Sequence, residues 1–284
     1  MDAESSMSKW NMVVDVAKCM NCANCFVVTK DEHVGNDFPG YAAPQPLHGH
    51  RWVDIRRNER GAHPVVDVSS MPVMCNQCDN APCMRVGPPG AVQKRGDGIV
   101  VIDPVKARGQ KGIVAACPYG AIFWNEELQL PQKWIFDAHL LDAGWKRTRI
   151  EQTCVTGALR SLKVDDEEMK RIAAREGLEV LRPELNTRPR VYYRNLHLMT
   201  KCFVAGTVVV RADGGEECLA GVKVAVAKDG KVVGEAVSDS FGEFKIDRLE
   251  PDSGVHALTL EWKTRRVSRE ITVGESQYVG VTAF

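Results

Sequence analysis

The chain has 284 residues, enough for one large domain or two ordinary ones, and its 37 lysines and arginines balance 37 aspartates and glutamates. A formal net charge of zero gives no sign of the basic surface on which a nucleic-acid binder relies, and no apolar run approaches the length of a membrane span. The opening stretch MDAESSMSKWNMVV has neither the positive start nor the apolar core of a secretory signal, so ten cysteines point to metal rather than disulfides, and to the cytoplasm.

Residues 1–10 read as a tail without regular structure. Met12–Val16 reads as a short strand that enters VVDVAKCMNCANCF, where Cys19, Cys22 and Cys25 stand at C-x2-C-x2-C spacing. The following stretch, Asp31–Ser70, is rich in His, Pro, Gly and Arg and is expected to be a long insertion with little regular structure. A second cysteine group follows at Cys75, Cys78 and Cys83. The β-branched run in GIVVID predicts a strand over Gly98–Asp103. Val114–Ala121 carries Cys117 in a CPYG turn, and Ile122–Trp124 continues as a strand. Gln132–Leu162 contains Cys154 and is expected to end in a short helix. Asp165–Leu181 predicts an amphipathic helix, with acidic residues leading and apolar positions at helical spacing (Met169, Ile172, Ala173, Leu178). From about Phe203 the pattern changes to short alternating strands punctuated by Gly, Asp and Pro, with an Asp-Gly hairpin turn in KDGK, which predicts a small antiparallel β-sandwich. Two domains follow, 1–200 and 201–284.

Eight of the ten cysteines form two triplets and two singles, Cys117 and Cys154. Three plus one, twice, is the ligand count of two cubane clusters. Each thiolate of such a loop reaches a different iron, and the fourth iron needs a ligand from elsewhere in the chain. A pair of four-cysteine zinc sites is the competing reading, but zinc favours paired C-x2-C knuckles, whereas a triplet with a remote cysteine before proline belongs to ferredoxins. Ferredoxin runs add a fourth cysteine to each triplet. Here that place is Thr29 in the first run and Gly87 in the second. Counting back from Cys117 puts Ala107, Gln110 and Ile113 at triplet positions; before Cys154 they are Trp134, Asp137 and Ile150. The losses are grouped, so the chain has whole sites or none.

These stretches, together with DEHVGNDFPGY, GHRWVDIRRNERG, CNQCDNAPC, CPYGAIFWNEE and LRPELNTRPRVYYRNL, resemble the iron–sulfur subunits of the molybdopterin oxidoreductases, four-motif polyferredoxins. Within that family the likeness is to the small subunits of pyrogallol–phloroglucinol transhydroxylase and resorcinol hydroxylase. It extends into the appended sandwich, where SDSFGEFKIDRL resembles carboxypeptidase-regulatory-like or Cna-B-like modules. The implied fold is α+β: a ferredoxin-like iron–sulfur domain with long insertions, then an all-β immunoglobulin-like sandwich. The resemblance implies that the first motif shares a cluster with the last and the second with the third. One 4Fe–4S cluster then takes Cys19, Cys22, Cys25 and Cys154, and the other takes Cys75, Cys78, Cys83 and Cys117. Trp134 and Asp137 stand where the transhydroxylase pattern keeps cysteines. Asp137 has a carboxylate able to bind iron, but with three neighbouring ligands gone the reading is two clusters, with Trp134 filling space. By the pseudo-twofold symmetry of such halves, the lost clusters would be the inner pair and the survivors well separated.

The implied assembly is a hetero-oligomer whose large subunit holds molybdenum bis-pterin guanine dinucleotide and acts on a polyhydroxybenzene. The alternative is an electron-transfer subunit, of a resorcinol hydroxylase or another molybdopterin oxidoreductase, that passes electrons to an external acceptor. A third reading makes the clusters staples that hold distant loops as a structural zinc does. No nucleophile–base pair, phosphate loop or paired carboxylates emerge, so no active site is assigned to this chain. His33, His48, His50 and His63 lack metal-site spacing and are expected at solvent or subunit contacts. Cys202 and Cys218 are expected to be small buried hydrophobes, and RRNER a solvated face or docking surface. Lys18 and Lys133, beside cysteine loops, are candidates to tune a potential through charge or ordinary surface lysines.

Overall fold

The buried run Trp10–Val14 is the middle of a three-stranded sheet that carries the first cysteine loop. In the computed structural model, which describes residues 7–212 and 215–284, the chain divides into two units. One runs to Arg56 and resumes over Ser70–Leu196; the other joins Arg57–Ser69 to His197–Phe284. Strand β1 (Lys9–Asp15) leads through a short 3-10 turn into the cysteine loop and helix α1 (Asn24–His33). Strands β2 (Val53–Ala62) and β3 (Val65–Met74) pair as a hairpin whose outer part, residues 57–69, belongs to the second unit. The expectation of an irregular insertion over Asp31–Ser70 is therefore corrected. The strand at the N-terminus also begins earlier than expected, at Lys9; of the rest of the expected tail, Met7 and Ser8 have no regular structure and residues 1–6 lie outside the described residues.

The first unit continues with the two-stranded pairs β4 (Val92–Lys94) with β5 (Val100–Ile102), and β6 (Phe123–Asn125) with β7 (Leu130–Gln132). Short helices α2 (Gly112–Ala115), α3 (Ala138–Asp142) and α4 (Arg149–Gln152) lie between and after them. The segment after Cys154 ends in strand β8 (Leu159–Val164), not a helix, because LRSLKV pairs antiparallel with β1. Helix α5 (Asp166–Glu176) is shorter than the sequence predicts. The Asp165 carboxylate caps its start by accepting from Glu168 N at 2.7 Å, and Gly177 in the left-handed region ends it. Strand β9 (Val191–Arg194) runs parallel to β1 on its other edge, which leaves Met12 and Val14 fully enclosed.

The C-terminal part of the second unit opens with a turn of helix, α6 (His197–Thr200), and among the described residues continues with strands β10 (Cys202–Ala212), β11 (Gly215–Cys218), β12 (Lys223–Lys228), β13 (Lys231–Val237), β14 (Glu243–Leu249), β15 (Gly254–Trp262), β16 (Arg265–Val273) and β17 (Gln277–Ala283). They form two four-stranded sheets, one built on β10 with β11, β14 and β17, the other in the order β13-β12-β15-β16. Val204, Val208, Phe244 and Ile246 of the first sheet share one apolar core with Val224, Val226, Leu258 and Leu260 of the second. The β12–β13 hairpin turns at Asp229-Gly230, both at positive φ.

Three expectations about single residues need correction. Cys202 is buried, but Cys218 is exposed on β11. Arg60 of the RRNER run is 4% exposed, with its guanidinium paired to Asp67 and Asp247. His33 and His50 are buried; His50 shares a 2.9 Å hydrogen bond with Trp124 O.

His33 packs its ring against Trp52, Phe38 and His139, and neither ring nitrogen has a partner. Burial, reinforced by the neighbouring His139, pushes its pKa from 6.5 to about 3. Between those values the unfolded chain takes up a proton that the folded one refuses, so stability falls as pH drops from about 6.5 towards 3. His33→Phe is expected to flatten the loss of chemical-denaturation stability between pH 7 and pH 5. An unchanged slope would mean another group sets it.

Candidate cluster-binding sites

The first cysteine loop curls because two of its residues take the left-handed conformation, Asn21 at φ 59° and Ala23 at φ 60°. Asparagine tolerates that region, but for alanine it costs on the order of 1 kcal/mol, which the loop bears in order to turn its thiols inward. Cys19, Cys22 and Cys25 then meet Cys154, which arrives after α4, around a small hollow also lined by Ile55, Pro72 and Leu159. The Cys154 Sγ accepts a hydrogen bond from Ala158 N at 3.2 Å.

The second loop turns at Gln77, φ 48°. Gln77 is pinned from both sides: its Oε1 accepts from Val100 N at 2.8 Å, and its Nε2 donates to Trp134 O at 3.2 Å. Cys75, Cys78 and Cys83 close with Cys117 on a small hollow walled by Ala81, Pro82, Val100, Pro118 and Ile122. Among the described residues, no group of three or more His, Cys, Asp or Glu is gathered tightly enough to hold a metal ion. Four thiols spread around a larger space suit a cube of iron and sulfide better than a single zinc.

Burial pushes the Cys25, Cys78 and Cys83 thiols up to about 12, and the charges of the other thiols in the same set add to the effect: Cys19, Cys154 and Cys22 on Cys25, and Cys75 and Cys117 on both Cys78 and Cys83. Cys19 and Cys117 are raised for the same first reason. Such a set remains protonated in an apolar pocket unless cations bind, and coordination then deprotonates it. Asn76 gives a second sign. It is 2% exposed, its amide nitrogen and oxygen have no partner, and it lines the second hollow beside Cys75. A buried unpaired amide costs about 1–3 kcal/mol; a sulfur ligand or sulfide would give its N–H an acceptor. The residues fit an iron–sulfur cluster, whose chemistry is one-electron transfer at a potential set by its surroundings.

The positions that lack cysteine are packed. Trp134 is fully buried and its indole N–H donates to Asp137 Oδ1 at 2.9 Å, while Asp137 Oδ2 accepts from Arg149 N at 2.7 Å. Burial drives the Asp137 carboxyl up against those two bonds, which hold it down. Ile150 is fully buried, and Thr29 Oγ1 donates to Cys25 O at 2.7 Å. In the other frame, Ala107 and Ile113 are fully buried and Ile113 packs close to Gly87. Gln110 is half-buried beside them. Lys18 is exposed, but Lys133 is buried. Asn76 was not singled out in the sequence, where a lone asparagine between cysteines carries no signal of its own.

A family model, the 4Fe-4S dicluster domain, matches residues 66–164. The chain is 42% identical over 272 residues, 95% of its length, to the pyrogallol hydroxytransferase small subunit of Pelobacter acidigallici, and covers 96% of that protein. It belongs to the iron–sulfur subunits of the molybdopterin oxidoreductases. A further relative is a tetrathionate reductase subunit of Salmonella typhimurium, 35% identical over 68% of this chain and 74% of that one. The thiosulfate reductase electron transfer subunit of Salmonella typhi is 30% identical over 58% of this chain and 81% of that one. Among the described residues no helix is long and apolar enough to cross a membrane.

Proposed function

We propose that this chain holds two 4Fe–4S clusters, one on Cys19, Cys22, Cys25 and Cys154 and one on Cys75, Cys78, Cys83 and Cys117. It does so as the small subunit of a cytoplasmic complex whose large subunit carries molybdenum bis-pterin guanine dinucleotide. That complex transfers or inserts hydroxyl groups on polyhydroxybenzenes, of the pyrogallol-to-phloroglucinol type. The observation that carries this reading is the 42% identity to a pyrogallol hydroxytransferase small subunit over 95% of this chain, the C-terminal strands included. Those strands we take as an immunoglobulin-like, carboxypeptidase-regulatory-like domain appended near residue 200 to a ferredoxin-like one.

A transhydroxylation needs no external electrons, so a chain whose two remaining frames are filled by Trp134, Asp137, Ile113 and Ala107 suits it. The alternative, export of electrons to a carrier as in a resorcinol hydroxylase, draws support from the relatives named as reductase subunits. The test is the complex purified anaerobically from its source cells. Molybdenum, about eight irons for this chain (four per cluster), and conversion of a trihydroxybenzene without added oxidant are the expected results. Zinc in place of iron would overturn the cluster assignment. Turnover that requires a stoichiometric electron acceptor would favour the alternative.

A further inference from the structure

Lys133 follows β7 and is 1% exposed. An ammonium group removed from water is costly unless a negative charge answers it. The other enclosed cations of this unit, Lys94 and Arg190, both reach the carboxylate of Asp79. Lys133 has no such partner among the described residues. Its Nζ donates to two neutral carbonyls, Val100 O at 2.5 Å and Trp134 O at 3.1 Å.

The ionisable groups that do sense it are thiols. Its charge favours the thiolates of Cys83 and Cys117, opposing the burial that raises both. Val100, whose carbonyl it holds, also lines the second cysteine hollow. The lysine beside the first loop, Lys18, is exposed and has water around it instead.

We propose that Lys133 is the buried counter-charge of the cluster held by Cys75, Cys78, Cys83 and Cys117, and that it raises the reduction potential of that cluster. The inference rests on the reading that this set holds a cluster. A cluster with four thiolates is anionic, and one-electron reduction adds a further negative charge with no bond made or broken. A fixed cation nearby in a low-dielectric interior stabilises the reduced form more than the oxidised one. The two carbonyl bonds hold the ammonium in place, so it cannot withdraw to solvent as the charge changes.

The experiment is a redox titration of the intact complex followed by electron paramagnetic resonance, with the second cluster's signal identified as the one absent from a Cys83→Ser complex. Lys133→Met keeps length without charge, and Lys133→Gln keeps a hydrogen-bond donor without charge. In both, the ratio of reduced to oxidised second cluster at a fixed potential should fall about tenfold or more, a shift of about 59 mV per tenfold, while the first cluster does not move. Lys133→Arg should restore the ratio. A wild-type potential in Lys133→Gln would overturn the proposal, since hydrogen bonding alone would then suffice. If the neutral variants lose the second cluster, its retention in Lys133→Arg supports the charge role and its loss there overturns it. Iron content separates this outcome from failure of the cluster assignment, which would show as fewer than about eight irons in the unmodified chain.

Discussion

Cys83→Ser is expected to lower the iron and acid-labile sulfide of this chain from about eight to about four of each, one cluster's worth. A serine hydroxyl is a hard oxygen donor that stays protonated at neutral pH, so it is a poor replacement for a soft thiolate on iron. Cys83 is 7% exposed and shares an apolar core with Cys78, Ala91, Val100, Ala107, Ile113 and Ile122. That core surrounds the hollow, so a cluster held there would be its central body and its binding free energy would be folding free energy. The loss of iron should therefore come with a large drop in the unfolding midpoint of the first unit. Iron on the first set should persist, because its four thiols draw on a different loop and on Cys154. Cys202→Ser, a buried cysteine of the second unit, is the control and should leave iron unchanged. Full iron in Cys83→Ser would remove Cys83 from the ligand set.

The cysteine sites were legible in the sequence because a triplet at short spacing is a local pattern that the backbone can realise only as a tight loop. The two single cysteines were assigned by the resemblance. The strands of the C-terminal part were legible for a related reason: alternation along VKVAVA and the Asp-Gly turn are both read within a few residues. What was missed depends on distant parts of the chain. Strand β2, with the sequence VDIRRNERGA, has no alternating apolar face, and its extended form comes from pairing with β3. LRSLKV becomes a strand because β1, about 150 residues earlier, offers an edge to it. His33 is buried because Trp52 and His139 close over it, and Lys133 because Val100 and Trp134 supply carbonyls. No window around either residue contains those neighbours.

Trp134→Ala should have the opposite signature to Cys83→Ser: iron unchanged and stability lowered by about 3–5 kcal/mol, the range for removing a large aromatic ring from a core. The indole is fully buried, stacks at 4.9 Å on Phe136, and donates to Asp137. Asp137→Ala should cost on the order of 1–3 kcal/mol by leaving the indole N–H and Arg149 N without an acceptor. The double variant should cost less than the sum, because the two side chains share one hydrogen bond. Denaturant unfolding and iron analysis on the same preparations read both quantities. Iron lost in Asp137→Ala would make this carboxylate a ligand and overturn the assignment of two clusters. The expected pattern follows from how the frame is filled. An aromatic ring, an isoleucine and a carboxylate that satisfies the nearby donors fill this part of the interior, so its stability rests on their volume and hydrogen bonds.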